Sequence, residues 1–154
     1  MAHRIKPIQK ANSDHGIKLT CLVLSYLGVI DSTYLLIYKL TSNNSMCLGN
    51  GGCHDVNFSP YSQIAGIPVS LLGLAVYLAM VGILLLENRY KTILENSTLM
   101  IFGISLAGVG FSAYLTWIEL YVIHKVCPFC VASAVIIMMI FALAIFRLIQ
   151  QTAS

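Results

Sequence analysis

Four long apolar runs restrict this chain to a membrane-spanning fold. They cover about residues 17–40, 64–86, 99–123 and 127–149, and each is long enough to cross a hydrocarbon core of about 30 Å as a helix. Of the 154 residues, 58% are hydrophobic and only 10% are charged, which excludes an ordinary soluble domain. We therefore predict an all-α, polytopic membrane protein, a four-helix bundle with a single domain over residues 1–154.

The positions of the nine Lys and Arg residues predict the orientation of the bundle. Most of them precede the first run, separate the second from the third, or end the fourth: Arg4, Lys6, Lys10, Lys18, Arg89, Lys91 and Arg147. By the positive-inside rule both termini are cytoplasmic, in an inner or plasma membrane. Basic residues placed in this way indicate topology, and we predict no nucleic-acid binding. The first run is too long for a cleaved signal peptide, so we expect a retained helix.

Four of the five cysteines form two pairs on the predicted outer face. Cys47 and Cys53 lie in the outer segment 41–63, and Cys127 and Cys130 form a C-x-x-C motif where the last helix begins. The N-terminus of a helix stabilises a thiolate, so this location favours thiol–disulfide exchange. Disulfides persist in a periplasm or lumen. The fifth cysteine, Cys21, lies within the first run and is predicted to pack as a small apolar residue.

The outer segment 41–63 is suited to carrying a mobile redox pair. Gly49, Gly51 and Gly52 lie between Cys47 and Cys53 and allow the backbone to turn tightly and move. The residues after Cys53 mix apolar and polar side chains, which predicts a short interfacial helix or lid.

Two pairs on one face permit an electron relay. With no haem motif or flavin fingerprint in the sequence, the natural acceptor for a dithiol at the membrane surface is a lipid-soluble quinone. Two other interpretations stay open: structural disulfides in a transporter or scaffold, and a zinc site that uses the four cysteines or borrows His54 and His124. Asp31, inside the first run, and Glu119, near the outer end of the third, have no assigned role.

An ordered set of residues resembles the vitamin K epoxide reductase family, with the prokaryotic disulfide-forming branch the nearest match. The set comprises Cys47, Cys53, Ser59, Tyr61, Gly66-Ile67-Pro68, Tyr114-Leu115 and Cys127-Pro128-Phe129-Cys130. The resemblance covers nearly the whole chain from the first helix to the fourth.

The resemblance implies a four-helix bundle around a quinone, of the ubiquinone, menaquinone or vitamin K type. Cys130 would be the sulfur nearest the quinone, and Cys127 would exchange with the loop pair. Ser59 would lie by the quinone as a hydrogen-bond donor or a structural clasp. Residues 54–62 would form a lid over the site. The predicted quinone contacts are Ser59, Phe58, Tyr61, Tyr114, Trp117 and Phe129. Because some relatives carry a fused thioredoxin-like domain and this chain ends at Ser154, we expect a separate DsbA-like thioredoxin-fold partner.

Two departures from relatives refine this expectation. The animal enzymes have a tyrosine four residues after the C-x-x-C motif, where this chain has Ala134. Proteins of the DsbB type carry their C-x-x-C in the first outer loop, so they are analogous in mechanism only. We predict a membrane thiol oxidoreductase that reoxidises a disulfide carrier and reduces a quinone, with no bound metal. The alternatives are a vitamin K quinone or epoxide reductase using a thiol donor, and a non-enzymatic membrane protein with structural or zinc-binding cysteines.

Overall fold

The structure is a computed structural model that describes residues 5–41, 52–87, 89 and 91–153, with side chains from residue 14 onward except those of 91–95. Four helices are long and apolar enough to cross a membrane: Asp14–Thr41, Val69–Leu86, Asn96–Ile123 and Pro128–Thr152. The predicted four-helix membrane fold is therefore confirmed. Cys47 lies outside the described residues.

The elements follow one another in this order: α1 (Ile5–Thr41), α2 (Gly52–Asn57), a 3₁₀ turn (Pro60–Ser62), β1 (Gln63–Ile64), β2 (Ile67–Pro68), α3 (Val69–Leu86), α4 (Lys91–Ile118), a π-helical turn (Glu119–Ile123) and α5 (Pro128–Thr152).

The first and third helices begin earlier than hydropathy predicts. Helix α1 starts at Ile5 and α4 at Lys91, whereas the apolar runs begin near residues 17 and 99. Pro7 lies in the first turn of α1, where its missing N–H breaks no intrahelical bond. Residues 91–98 contain no Gly or Pro, so the helix continues through polar sequence. Apolar length marks where a helix enters lipid, not where the helix begins.

The second spanning helix begins later than predicted, because a small hairpin takes up its first residues. Strands β1 and β2 pair antiparallel through Gln63–Pro68 and Ile64–Ile67. The two residues between the strands, Ala65 and Gly66, both have positive φ, of 52° and 83°, as a two-residue hairpin turn requires. Helix α3 then starts directly after Pro68. The hairpin therefore lies where the sequence predicted the first residues of the second spanning helix.

The core lies between α1, α3, α4 and α5, with α1 packed against α3 and α5, and α4 packed against α5. Met80 and Ile140 are fully buried at its centre, and Cys21 packs in the same cluster as predicted for a small apolar residue. Gly108 of α4 allows close packing, since a Cβ there would lie 2.7 Å from Cγ1 of Ile137 on α5. Small residues of this kind let helices approach in lipid, where burial of apolar surface gives little driving force.

At the end of the bundle opposite the C-x-x-C motif, a buried ion network joins three helices. Glu87 follows α3 directly and is 1% exposed; its carboxylate contacts the Arg147 guanidinium and lies 2.8 Å from Lys18 Nζ. Arg147 Nε also donates to Asp14 Oδ1 at 2.7 Å. Burial alone would raise the pKa of Glu87, but hydrogen bonds from Arg147 and Lys18 hold that pKa below its usual value. Arg147, expected only as a topology signal, is thus part of the packed structure.

We expect Glu87→Ala to destabilise the protein by about 3–5 kcal/mol, because Arg147 would remain buried without its main partner. Because the folded pKa of Glu87 lies below its unfolded value, the contribution of this residue is present at neutral pH and is lost as the pH falls through the folded pKa. Denaturant unfolding in mixed micelles measures both effects. The exposed neighbour Arg89 supplies the control, Arg89→Ala, which should change stability by less than about 0.5 kcal/mol. An equal loss in the two variants would contradict the role of the network.

Candidate active site

Helix α2 places Cys53 directly against the start of α5. Cys53 is 2% exposed and Cys127 is fully buried, and both pack in one cluster with Leu35 and Tyr38 of α1. Gly52 makes this approach possible, since a Cβ at this position would lie 2.5 Å from the Val126 carbonyl oxygen. The glycine predicted to give the loop its mobility therefore also allows a close backbone contact.

Three of the four predicted redox cysteines converge, with Cys127 between the other two. The Cys127 sulfur has hydrogen-bonding contacts with both Cys130 and Cys53. Cys127 is the N-cap residue of α5, and Pro128 occupies the first turn, as the sequence predicts. The C-x-x-C spacing then brings Cys130 back onto the same end of the helix. This order places Cys127 where it can exchange with either neighbour.

The pKa of Cys127 is lowered from 9.0 to about 7. The largest cause is the hydrogen bond from the Cys130 thiol to the Cys127 sulfur, and the contact with Cys53 acts in the same direction. Burial and the nearby Glu119 carboxylate oppose the shift. A thiol with a pKa near neutrality has a large thiolate fraction, which is the reactive form in disulfide exchange.

Glu119 belongs to the same site, although the sequence assigned it no role. It is 3% exposed and lies at the start of the π-helical turn, from which its Oε2 accepts a hydrogen bond from the Cys127 backbone N–H at 3.2 Å. Its carboxylate also has a hydrogen-bonding contact with the Cys130 thiol. The signal in the sequence was an acidic residue inside a spanning run, which is uncommon unless the residue has a function.

A cavity of about 580 Å³ lies beside Cys130, among α1, α3, α4 and α5 and under the outer segment. Its walls are mostly apolar, with a few polar groups that include Ser59, Ser112 and Glu119. Of the predicted site residues, Cys130, Ser59 and Tyr61 line the cavity. Its size and lining are those of a small-molecule site.

The outer segment forms the cover of this cavity and is tied to α1. Ser59 Oγ donates to the Val56 carbonyl at 2.8 Å, so its hydroxyl closes the end of α2 while the residue also lines the cavity. The Lys39 ammonium donates to Ser62 Oγ at 2.7 Å, which holds the 3₁₀ turn over the bundle. This geometry accords with a structural clasp at Ser59.

Four of the predicted aromatic contacts lie away from the cavity. Phe58 stacks on His54 with ring centroids 4.6 Å apart, and Phe129 packs on Tyr34 at 4.7 Å. Tyr114 and Trp117 of α4 are 51% and 56% exposed, on the face that lipid would cover. Tyr114 and Trp117 were predicted as quinone contacts from their residue type, without regard to the helix face on which they lie. Tyr114 and Trp117 are three residues apart and share that outward face.

The face of α4 that lines the cavity carries Ala107, Gly108, Phe111, Ser112 and Leu115. These residues recur at helical spacing, one row away from Tyr114 and Trp117. The small residues of α4 therefore both line the cavity and allow close helix packing. Gly108 packs closely on Ile137, whereas a Cβ added at Gly103 or Gly110 would meet nothing within 4 Å.

Comparisons with known proteins show what the chain is similar to. The model of the vitamin K epoxide reductase family matches residues 19–145. The chain is also 28% identical over 124 residues to the thiol-disulfide oxidoreductase LTO1 of Arabidopsis thaliana. That match covers 76% of this chain and 33% of the relative, so the chain spans about a third of the length of that protein.

We expect alkylation of Cys127 in the reduced protein to be half-maximal near pH 7, because its pKa is about 7. Cys130→Ala should move this midpoint to higher pH, since the hydrogen bond that stabilises the Cys127 thiolate is lost. Mass spectrometry of alkylated peptides across a pH series measures both midpoints. Cys21→Ala removes a thiol from the core of the bundle and should leave the Cys127 midpoint unchanged. An unchanged midpoint in Cys130→Ala would contradict the assigned cause.

Proposed function

The chain belongs to the vitamin K epoxide reductase family, and we propose that it is a membrane thiol oxidoreductase that passes electrons from a disulfide carrier to a quinone. The observation that carries this proposal is the order of the groups. Cys53 on the outer segment contacts Cys127, Cys127 contacts Cys130, and Cys130 lines the cavity. A dithiol on the outer segment can thus reach a cavity among the spanning helices through one intermediate sulfur.

The relay proceeds by two exchanges followed by one oxidation. A Cys53 thiolate attacks Cys127 Sγ of a Cys127–Cys130 disulfide, which forms a Cys53–Cys127 disulfide and releases Cys130 as a thiolate. Cys47 then attacks Cys53 Sγ, which forms the Cys47–Cys53 disulfide and releases Cys127. A low thiol pKa makes a good leaving group, so the lowered pKa of Cys127 favours this second exchange. The reduced Cys127–Cys130 pair is then ready to be reoxidised.

The residues around the cavity fit a quinone. The mostly apolar walls suit a hydrophobic ring, and Tyr61 and Ser112 offer hydroxyl groups to its oxygens. The Ser59 hydroxyl already donates to the Val56 carbonyl and closes the end of α2 beside the ring. When bound, the quinone accepts the two electrons and two protons that the Cys127–Cys130 dithiol loses on forming its disulfide. Residues of α3, α4 and the outer segment line the cavity. They would position the quinone ring beside Cys130 and separate it from bulk water.

The donor we propose is a separate DsbA-like carrier with a thioredoxin fold. Such a carrier has a potential of about −120 mV and can be regenerated only by a more oxidising acceptor, which favours electron flow toward the quinone. The chain's similarity to a protein named as a thiol-disulfide oxidoreductase supports thiol–disulfide exchange as its chemistry. The distribution of Lys and Arg supports cytoplasmic termini, with the redox cysteines on the outer face of the membrane.

We expect Cys130→Ala to abolish quinone reduction while the outer pair still accepts electrons once from a reduced carrier. Without the Cys130 thiol, no group beside the cavity can attack Cys127 Sγ of a Cys53–Cys127 disulfide. This disulfide should therefore accumulate. Anaerobic quinone absorbance and mass spectrometry of the disulfides measure these two outcomes. Cys21→Ala is the matched control and should turn over as the wild type does.

Normal quinone turnover in Cys130→Ala would contradict the relay. A wild type that neither exchanges with thiols nor reduces quinone, and that co-purifies with zinc, would favour the metal-binding alternative.

A further inference from the structure

Glu119 occupies a position that the relay described above does not use. Its buried carboxylate lies between the backbone N–H of Cys127 and the thiol of Cys130. It also lines the cavity beside Cys130. Three parts of the site thus meet at one acidic side chain: the backbone of the exchanging cysteine, the thiol of Cys130, and the cavity itself.

Oxidation of the pair has a proton requirement that this position can meet. Forming the Cys127–Cys130 disulfide breaks two S–H bonds, makes one S–S bond, and transfers two electrons and two protons to the quinone. The contact with the Cys130 thiol lowers the pKa of Cys127, so Cys127 can lose its proton before the oxidation. The Cys130 proton must leave from the wall of an apolar cavity. A base within hydrogen-bonding distance of that thiol is therefore needed.

The other described titratable groups near this end of the bundle are less well placed. Among the described residues that line the cavity, Glu119 is the sole carboxylic acid, and none is His, Lys or Arg. On α2, which packs against the π-helical turn, His54 stacks on Phe58 and Asp55 is exposed. On α1, Asp31 does not line the cavity.

We propose, on the basis of the function proposed above, that Glu119 is a catalytic base that takes the proton from the Cys130 thiol and delivers it to the quinone. The second proton of the reduced quinone comes from solvent, in exchange for the one that Cys127 released. The π-helical turn makes this geometry possible, because its wider winding starts at Glu119 and leads into the connection to Cys127. The same carboxylate also fixes the start of α5 through the Cys127 N–H.

One substitution at Glu119 tests proton transfer separately from the hydrogen bond to the Cys127 N–H. In Glu119→Gln the amide oxygen still accepts the Cys127 N–H, so the fold of the turn is kept, but the side chain can no longer take a proton. Tyr121→Phe is the control, because Tyr121 is 68% exposed on the same turn and faces away from the site. Thermal unfolding and thiol counting show whether each variant is folded.

The first measurement is a single anaerobic turnover: each protein is reduced with a small dithiol, freed of reductant, and mixed with a short-chain quinone. We expect Glu119→Gln to reduce quinone about 100-fold more slowly or worse, the range for loss of a general base, with Tyr121→Phe unchanged. A second measurement uses no quinone. In a Cys127→Ala background, the pH midpoint of Cys130 alkylation should fall by about one unit or more on Glu119→Gln, because a neighbouring negative charge is removed.

A rate and a midpoint that are both unchanged in Glu119→Gln would overturn the proposal and leave the carboxylate as a structural contact. If the Gln variant does not fold, Glu119→Asp takes its place, because the shorter side chain keeps a carboxylate but moves it away from the Cys130 thiol. A turnover rate equal to that of the wild type in this variant would then overturn the proposal. A wild type that reduces no quinone would overturn the proposed function itself. Failure of the proposed function is thus distinguishable from failure of the Glu119 proposal, because it is seen in the wild type alone.

Discussion

The connection between the third and fourth spanning helices constrains everything else in the site. Only residues 124–127 separate the π-helical turn from α5, so the C-x-x-C motif is held at the boundary where the last helix begins. His124 takes a left-handed conformation, with φ 56°, to reverse the chain in so few residues. The Glu119 carboxylate binds the Cys127 N–H at the end of this reversal. A polar backbone in this position needs such a partner, because the bundle around it is apolar.

The helices pack closely at one end of the bundle and leave a cavity at the other. At one end, the contacts of Glu87 with Lys18 and Arg147 tie α1, α3 and α5 together. At the other end, small residues of α4 make room for the cavity beside Cys130. In lipid, tight packing and buried polar pairs replace the hydrophobic drive that holds a soluble core together.

Apolar run length was enough to predict the four spanning helices. The cysteine pattern predicted that the outer segment meets the C-x-x-C motif but left open whether Cys47 or Cys53 does so, and Cys53 packs with Cys127. Hydropathy could not predict that α1 begins at Ile5, because polar residues outside lipid still form helix. Tyr114 and Trp117 do not line the cavity beside Cys130, and residue type alone does not show which helix face points inward. Glu119 was missed for a related reason: its contact with Cys127 depends on a π-helical turn that has no clear sequence pattern. Tertiary geometry, not composition, selected these residues.

The most direct test of the account is quinone consumption without oxygen. Purified protein in detergent is mixed with a reduced thioredoxin-fold carrier and a soluble quinone, and the loss of quinone absorbance is followed for the wild type and for Cys127→Ala. If the relay operates, the wild type consumes quinone in step with carrier oxidation and the variant consumes none, because Cys127 is the sulfur that joins the outer segment to Cys130. Turnover at the wild-type rate in Cys127→Ala would contradict it.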